Sequence, residues 1–307
     1  MRFISQNHDY VKTGFFHNKI PHILCACFCL NSVPLLAEEP YEQDMSLSLD
    51  QGKPKWEIGI FGGGLDNPTY PGSGDSKSRG IILPYAVYRS ENFSIGDGGI
   101  INAKAIKKPF YDVTLSLSGG FNVDEEEDTN RDGMPGVDYT FGIGPKLRLY
   151  LQRPNDKQVT KHAVNFDLQS RAIFATDFSD VEYIGYVIEP QFSINVMKPL
   201  KLPINFSTSV SMSWASEGLQ DYLYQVDPEF ATPIRPAFDA QKGWMQARWF
   251  VGLSKSFKDY GNVFLGVGAQ TYQFAENENS PLIKTDIDYT AVLGFRWRIF
   301  ASEDRVP

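Results

Sequence analysis

Apolar and polar residues alternate along most of the chain after residue 54. In the clearest stretch, residues 137–152, every second residue from Val137 to Leu151 is apolar or proline, and mostly polar residues or glycine stand between them. Successive side chains of a β-strand point to opposite faces, whereas the same alternation on a helix would scatter the apolar residues around it. The pattern therefore predicts a strand with one apolar and one polar face.

Eleven further segments follow this pattern. They are 56–64, 80–90, 93–104, 110–121, 160–175, 183–197, 204–214, 220–226, 244–257, 261–274 and 289–299. Most are longer than the strands of soluble sandwiches, which average about five to six residues, and they suit tilted strands that cross a bilayer. We expect an all-β fold, a closed antiparallel transmembrane β-barrel of about 12 strands in contact with outer-membrane lipid. Ten strands are the alternative, with 93–104 or 220–226 unpaired, and a soluble β-sandwich or lipocalin-like barrel is the other fold to consider.

An even strand number returns both termini to the periplasm. Residues 89–92 and 258–261 are then short periplasmic turns, and 65–79, 227–243 and 275–286 are long external loops. The acidic segment 122–136 becomes an unusually long periplasmic turn in this scheme. Aromatic residues near strand ends or on outward faces are expected to form the interfacial belts of such a barrel; they are Trp56, Trp214, Trp244, Trp249, Tyr272 and Trp297.

The N-terminal segment has the pattern of a secretory signal peptide. Basic residues precede the mostly apolar stretch 23–36, and Ala37 offers a small residue at a cleavage point. We expect a signal peptide at 1–37, a periplasmic lead-in at 38–54, the barrel at 55–300 and a C-terminal tail at 301–307. All three cysteines lie within the signal peptide, so the mature chain would have no disulfide, thiolate metal site or cysteine nucleophile.

Charge and composition narrow the function classes. Removing residues 1–37 takes away three basic residues and one acidic residue, which changes the net charge from −8 to −10. This balance argues against nucleic acid as a partner, because binding to nucleic acid needs a basic surface. No run of 18 apolar residues is present, so a transmembrane helix is not expected.

One acidic segment resembles a calcium-binding loop. Asp128, Asn130 and Asp132 are spaced so that alternate side-chain oxygens could surround Ca²⁺, and Gly133 would permit the tight turn. Tyr139 occupies the twelfth position, where an EF-hand has a bidentate glutamate. Calcium is thus one interpretation and a solvated acidic loop the other; no other cofactor is indicated.

Five basic residues fall on the predicted inward faces of the strands, with Glu57, Asp167 and Glu189 as candidate counter-charges. They are Lys146, Arg148, Arg171, Arg296 and Arg298. A basic lumen would favour anionic solutes, whereas paired charges would close a narrow barrel. Catalysis is not expected, since His162 is the one histidine of the mature chain and has no serine close to it in sequence.

Several segments resemble the MltA-interacting protein (MipA/OmpV) family of outer-membrane proteins. They are Gly62–Ser73, which contains Tyr-Pro-Gly-Ser, Leu83–Tyr85, Tyr88–Arg89, Asp97–Gly99, Asp221–Val226, Ala237–Ala240 and Ser280–Ile283. The resemblance spans about residues 55–300. It implies a non-enzymatic scaffold in the bacterial outer membrane that links a lytic transglycosylase, a murein hydrolase, to a peptidoglycan synthase. A small-solute channel and a surface adhesin that uses loops 65–79 and 227–243 are the alternatives.

Overall fold

The computed structural model describes residues 53–90, 93–95, 102–103, 110–123, 129–153, 160–257 and 260–306. Its strands, in chain order, are β1 (Lys53–Pro54), β2 (Trp56–Pro68), β3 (Ser76–Arg89), β4 (Phe93–Ile95), β5 (Asn102–Ala103), β6 (Tyr111–Gly120), β7 (Tyr139–Gln152), β8 (Lys161–Thr176), β9 (Val181–Met197), β10 (Asn205–Ala215), β11 (Gly243–Phe257), β12 (Gly261–Thr271), β13 (Ile287–Ala301) and β14 (Arg305–Val306). The α-helix α1 spans Glu217–Tyr224, and 3₁₀ turns span Thr129–Arg131, Pro199–Lys201 and Pro228–Phe230. The predicted signal peptide and nearly all of the lead-in lie outside the described residues.

One antiparallel sheet contains all strands except β1 and β14. Its order is β5-β4-β3-β2-β13-β12-β11-β10-β9-β8-β7-β6, so the first long strand pairs with the last long strand. The sheet curves enough that Arg79 of β3 lies with its guanidinium 4.5 Å from the ring centroid of Phe121, which follows β6. An all-β antiparallel fold, as the alternation predicts, is therefore confirmed.

Ten of the predicted segments form long strands, and two do not. The strand predicted at 220–226 is wrong, because most of this segment lies in α1. Within 93–104, the described residues form the short antiparallel pair β4 and β5 instead of one long strand.

The two faces of the sheet differ as the alternation predicts. Apolar side chains cover the outer face and stay exposed on the isolated chain, such as Ile82 (73%), Tyr289 (69%) and Leu293 (56%). Polar side chains and glycines dominate the inner face, among them the buried Asp167, Gln169 and Glu189. An apolar exterior of this extent requires lipid around it, because water would oppose its exposure.

Chain direction divides the connections between two ends of the sheet. At the termini end, where β2 begins and β13 ends, the turns after β9 and β11 are short. The opposite end carries residues 69–75, 121–123, 129–138, 177–180, 216–242 and 272–286. The expected placement of 122–136 at the periplasmic end is therefore wrong, since its described part lies beside the long loops. Two short antiparallel strands, β4 and β5, stand where one long strand was predicted, so β6 runs in the opposite direction to the one expected.

The end of the lead-in and the predicted tail pair with each other. Lys53 and Pro54 of β1 lie opposite Val306 and Arg305 of β14 in a two-stranded sheet at the termini end. Among the described residues, no helix is both long enough and apolar enough to span a bilayer.

Most of the expected belt aromatics lie on the outer surface. Trp56, Trp244, Trp249 and Trp297 are each at least 40% exposed. Tyr272 is an exception, since only 1% of its surface is exposed. The prediction for Tyr272 is wrong because the chain leaves β12 at Thr271 and turns inward.

Candidate functional site

The loops at the long-loop end pack into one unit, which we call the cap and define as residues 69–75, 121–123, 129–138, 216–242 and 272–286. Its apolar interior buries Tyr70, Leu219, Leu223, Tyr224 and Leu282, each at most 7% exposed. The buried cluster continues onto inner-face residues of β8, β9 and β11. The cap is therefore a second hydrophobic core, and it covers this end of the sheet.

Hydrogen bonds join segments of the cap that are distant in sequence. The Tyr70 hydroxyl donates to the Leu282 carbonyl oxygen (2.8 Å), and the Tyr224 hydroxyl donates to the Pro71 carbonyl oxygen (3.0 Å). The Ser280 hydroxyl donates to the Tyr224 carbonyl oxygen (2.8 Å). These residues come from Tyr-Pro-Gly-Ser, from Asp221–Val226 and from Ser280–Ile283, so three segments that carry the family resemblance meet in the cap.

Buried tyrosines hold the cap as neutral hydrogen-bond donors. Burial raises the pKa of Tyr224 and of Tyr272 well above the ordinary tyrosine value, and nearby Asp288 adds to both shifts. The Tyr272 hydroxyl and the Gly72 backbone N–H both donate to Asp288 Oδ2 at 2.8 Å. Since the hydroxyls keep their protons at physiological pH, these bonds persist there.

A cavity of about 300 Å³ lies beneath the cap. Strand β2 and strands β6 to β13 contribute to its wall, and Tyr70, Leu219 and Leu223 of the cap contribute to its roof. Its charged lining residues are Lys146, Arg171, Glu189 and Arg248. Glutamines and small hydroxyl residues make up much of the remaining wall; they include Ser116, Gln169, Gln191, Ser213, Gln246, Gln270 and Thr290.

Two of the predicted inward arginines form ion pairs in the middle of the sheet. Arg148 binds Asp167 through two bonds of 2.8 Å and 2.7 Å, and the two residues lie opposite each other on β7 and β8. Arg171 donates to Glu189 Oε2 (2.8 Å) and to the Ser116 hydroxyl (3.1 Å). These partners are the counter-charges that the sequence suggested.

The other two predicted arginines converge on one carboxylate near the termini end. Arg296 and Arg298 lie 2.5 Å and 3.7 Å from Glu57 oxygens. Arg89, which is not among the five basic residues predicted on the inward faces, lies 3.4 Å from a Glu57 oxygen. Glu57 and Arg89 are both 7% exposed. This group, the Glu57 cluster, places three cations around one buried anion.

An apolar layer occupies part of the inner face between the cavity and the Glu57 cluster. Phe250, Phe264 and Val292 are buried there, with Phe61 and Leu65 packed against them. Glycines of neighbouring strands make room for the rings, since a Cβ at Gly266 or Gly294 would collide with Phe250 or Phe264. The lumen is thus filled with side chains at several levels.

The candidate calcium segment lies partly outside the described residues. Asp128 is not described; Asn130 donates its side-chain amide to the Ser73 carbonyl oxygen (3.1 Å), and Gly133 has the left-handed φ of 72° that the predicted turn needs. Arg235 binds the backbone oxygens of Asn130 and Asp132. In the described part of the chain, no three acidic, histidine or cysteine side chains are grouped closely enough for a metal, and the calcium interpretation stays a prediction.

Sequence reasoning missed the cap and Arg248. Leu219, Gln220, Leu223 and Tyr224 are buried on α1, a spacing typical of one helix face, and this spacing was the available signal. His162, at the termini end of β8, is exposed.

Comparison with known proteins gives one family match. The family model described as MltA-interacting protein MipA matches residues 60–299. No curated protein sequence matches the chain. Among solved structures, an outer-membrane channel from Pseudomonas putida F1 is 7% identical, with 82% of this chain and 97% of that chain covered and a TM-score of 0.41. The toluene transporter TodX of P. putida is also 7% identical, and the match covers 91% of this chain and 72% of TodX with a TM-score of 0.26. The outer-membrane protease OmpT of Escherichia coli is 8% identical, and the match covers 81% of this chain and 97% of OmpT with a TM-score of 0.26.

Proposed function

Because the chain belongs to the MltA-interacting protein MipA family, whose model matches residues 60–299, we propose that it is a non-catalytic anchor for a murein lytic transglycosylase. The protein is a β-barrel protein of the bacterial outer membrane, and its partner would bind from the periplasm. A peptidoglycan synthase is the second partner that such a scaffold would hold. The family match is the observation that carries this proposal.

The proposed anchor is a closed barrel. Lipid cannot satisfy the backbone groups of an open sheet edge, so a sheet in the hydrocarbon core has to close on itself. Contacts between the two sides of the sheet support closure: β5 approaches β6, Arg79 of β3 stacks on Phe121, and Asn130 bonds to Ser73. Ten long strands with the short pair β4 and β5 would make the 12-stranded barrel.

An occluded lumen supports an anchor over an open channel. The cap covers one end, and the Glu57 cluster and the ion pairs of Arg148 and Arg171 fill space further along the lumen. A water-filled pore needs a continuous polar path, which these groups narrow at several levels.

The turn between β9 and β10 is the surface that we propose for the partner. Leu200 is 89% exposed at the termini end, and Lys198 and Lys201 flank it. Lys198, Leu200 and Lys201 all have positive φ, a conformation that is costly for residues other than glycine and that is frequent at functional sites. An exposed leucine between two cations fits a partner surface that is apolar at its centre and acidic at its rim.

Retention of a purified lytic transglycosylase on the immobilised, folded barrel tests the proposal. We expect the wild-type protein to retain the enzyme and Leu200→Ser to retain at least about tenfold less, because loss of a central interface anchor costs about 2 kcal/mol or more and about 1.4 kcal/mol corresponds to tenfold in affinity. Ile234→Ser is the matched control, since Ile234 is also 89% exposed but lies in the cap. Failure of the folded wild-type protein to retain the enzyme would contradict the anchor function. An equal loss of retained enzyme from both variants would show that the turn between β9 and β10 is not the contact.

A further inference from the structure

The cavity beneath the cap has the chemistry of a binding site for a small molecule. We propose that it binds a small hydroxylated carboxylate, of the size of a six-carbon sugar acid. This inference does not depend on the transglycosylase, because the cavity and the turn after β9 lie at different levels of the barrel.

Charge in the cavity wall favours an anion. Lys146, Arg171 and Arg248 contribute three positive charges, and Glu189 contributes the one negative charge among the described lining residues. Glu189 is already bound to Arg171 at 2.8 Å. Among the described lining residues, basic side chains therefore outnumber acidic ones, in a place where low dielectric strengthens attraction to a carboxylate.

Two buried polar atoms of the wall still need partners. Arg171 and Gln246 are each 9% exposed, and the Arg171 Nε and the Gln246 Oε1 have no hydrogen-bond partner among the described residues. A buried polar group without a partner costs about 1–3 kcal/mol, so a ligand that satisfies both would gain free energy. A carboxylate oxygen accepts from Arg171, and a ligand hydroxyl donates to Gln246.

The volume of the cavity and the types of side chain in its wall narrow the class of ligand further. About 300 Å³ is at the lower end of the volumes of small-molecule sites, which run from about 300 to 1,000 Å³. Four glutamines, at 169, 191, 246 and 270, line the wall, and an amide both donates and accepts hydrogen bonds. Such a wall suits a ligand with several hydroxyl groups more than it suits an apolar anion.

Calorimetric titration of the detergent-folded full barrel with D-gluconate tests this inference. Its neutral analogue D-glucitol and the cationic D-glucosamine have similar size and hydroxyl content, and they serve as probes of charge. We expect gluconate to bind at least about tenfold more tightly than either analogue, and binding to weaken as salt is added. No heat with gluconate up to millimolar concentration, or equal binding of gluconate and glucitol, overturns the proposal.

Variants locate the site within the lumen. Arg248→Gln removes a cation of the cavity wall and is expected to weaken gluconate binding at least about tenfold, while Lys146→Gln is an independent second variant of the wall. Arg298→Gln removes the same charge from the inner face at the Glu57 cluster, outside the cavity lining, and is expected to change the affinity less than twofold. If Arg298→Gln weakens binding as much as the wall variants do, the anion binds elsewhere and the proposal fails.

Discussion

At the scale of single residues, Glu57 is the carboxylate that holds three cations of the inner face together. Its carboxylate contacts Arg89, Arg296 and Arg298 while almost fully buried. Without that anion, three guanidinium groups would face one another in a place with little water. Removing one partner of a buried ion pair is therefore much more costly than replacing the whole group.

Glu57→Gln is expected to destabilise the folded barrel by about 3–5 kcal/mol, the range typical of a buried charge that loses its partner. Urea unfolding in lipid vesicles, followed by tryptophan fluorescence, measures the change. Asp304→Asn removes the same charge from an exposed position near the termini end and should change the free energy of unfolding by less than about 0.5 kcal/mol. A Glu57→Gln protein as stable as wild type would show that the cluster contributes little.

The sequence predicted the inner charges but not all of their pairings. Alternation alone places Arg148, Arg171 and Arg296 on the inner face, since side-chain direction follows from residue parity within a strand. Which carboxylate meets which arginine depends on register between strands. Arg89 joins Glu57 through the pairing of β2 with β3, and no pattern within one strand contains that information.

At the scale of elements, α1 is the helix at which alternation of apolar and polar residues predicts a strand wrongly. Residues 220–226 are rich in tyrosine and leucine, which favour strands as readily as helices over so short a stretch. The buried residues Leu219, Gln220, Leu223 and Tyr224 nevertheless repeat at a spacing of four, which is the helical spacing. Packing against Ile184 and Gly185 of β9 then favours the helix.

The pairing of β2 with β13 includes a close approach of the two backbones at Gly63. A Cβ on Gly63 would lie 2.8 Å from the Leu293 carbonyl oxygen and 3.1 Å from the Gly294 Cα, both backbone atoms that cannot move away alone. A Cβ on the adjacent Gly64 would lie 3.9 Å from its nearest neighbour, the Arg79 carbonyl oxygen.

Gly63→Ala should therefore destabilise the barrel by about 1–3 kcal/mol, the usual cost of overpacking. Gly64→Ala should be neutral or stabilise by up to about 0.5 kcal/mol, since alanine restricts the unfolded chain. The midpoints of urea unfolding of both variants in the same vesicles decide the matter. Equal midpoints would mean that the two strands separate easily at this point.

At the scale of the whole molecule, the strand pattern gave the architecture but placed one loop at the wrong end. One strand at 93–104, as the alternation predicts, reverses the predicted direction of each segment from 110–121 to 204–214. The second wrong strand, at 220–226, restores the direction of the segments that follow it. Because the short strands β4 and β5 stand in place of one long strand, β6 runs toward the long-loop end, and residues 121–123 and 129–138 lie in the cap. The cap itself rests on contacts such as that of Tyr70 with Leu282, which are 212 residues apart in sequence, and strand periodicity says nothing about such contacts.

The position of the cap over one end of the barrel leads to a prediction about ion permeability. Ala215 of β10 lies directly opposite Gly243 of β11, so the intervening residues 216–242 are dispensable for joining the two strands. A two-residue Asn-Gly turn can connect paired antiparallel strands. Replacing 216–242 by Asn-Gly removes α1 and much of the buried cluster of the cap while leaving the sheet register in place.

We expect the folded wild-type protein to give no ion steps in planar bilayers and the Asn-Gly replacement of 216–242 to give small steps. Its reversal potential in a salt gradient should indicate preference for anions, because Lys146, Arg171 and Arg248 would then face the opened lumen.

The matched control replaces 177–180, the hairpin turn between paired Thr176 and Val181, by the same dipeptide. This variant should stay silent, because the turn lies outside the cap. Heat-modifiable migration in detergent shows that each variant has folded. Steps from the wild-type protein would mean that the cap does not close the barrel, and silence from a folded 216–242 replacement would mean that the apolar layer and the Glu57 cluster close the lumen without the cap.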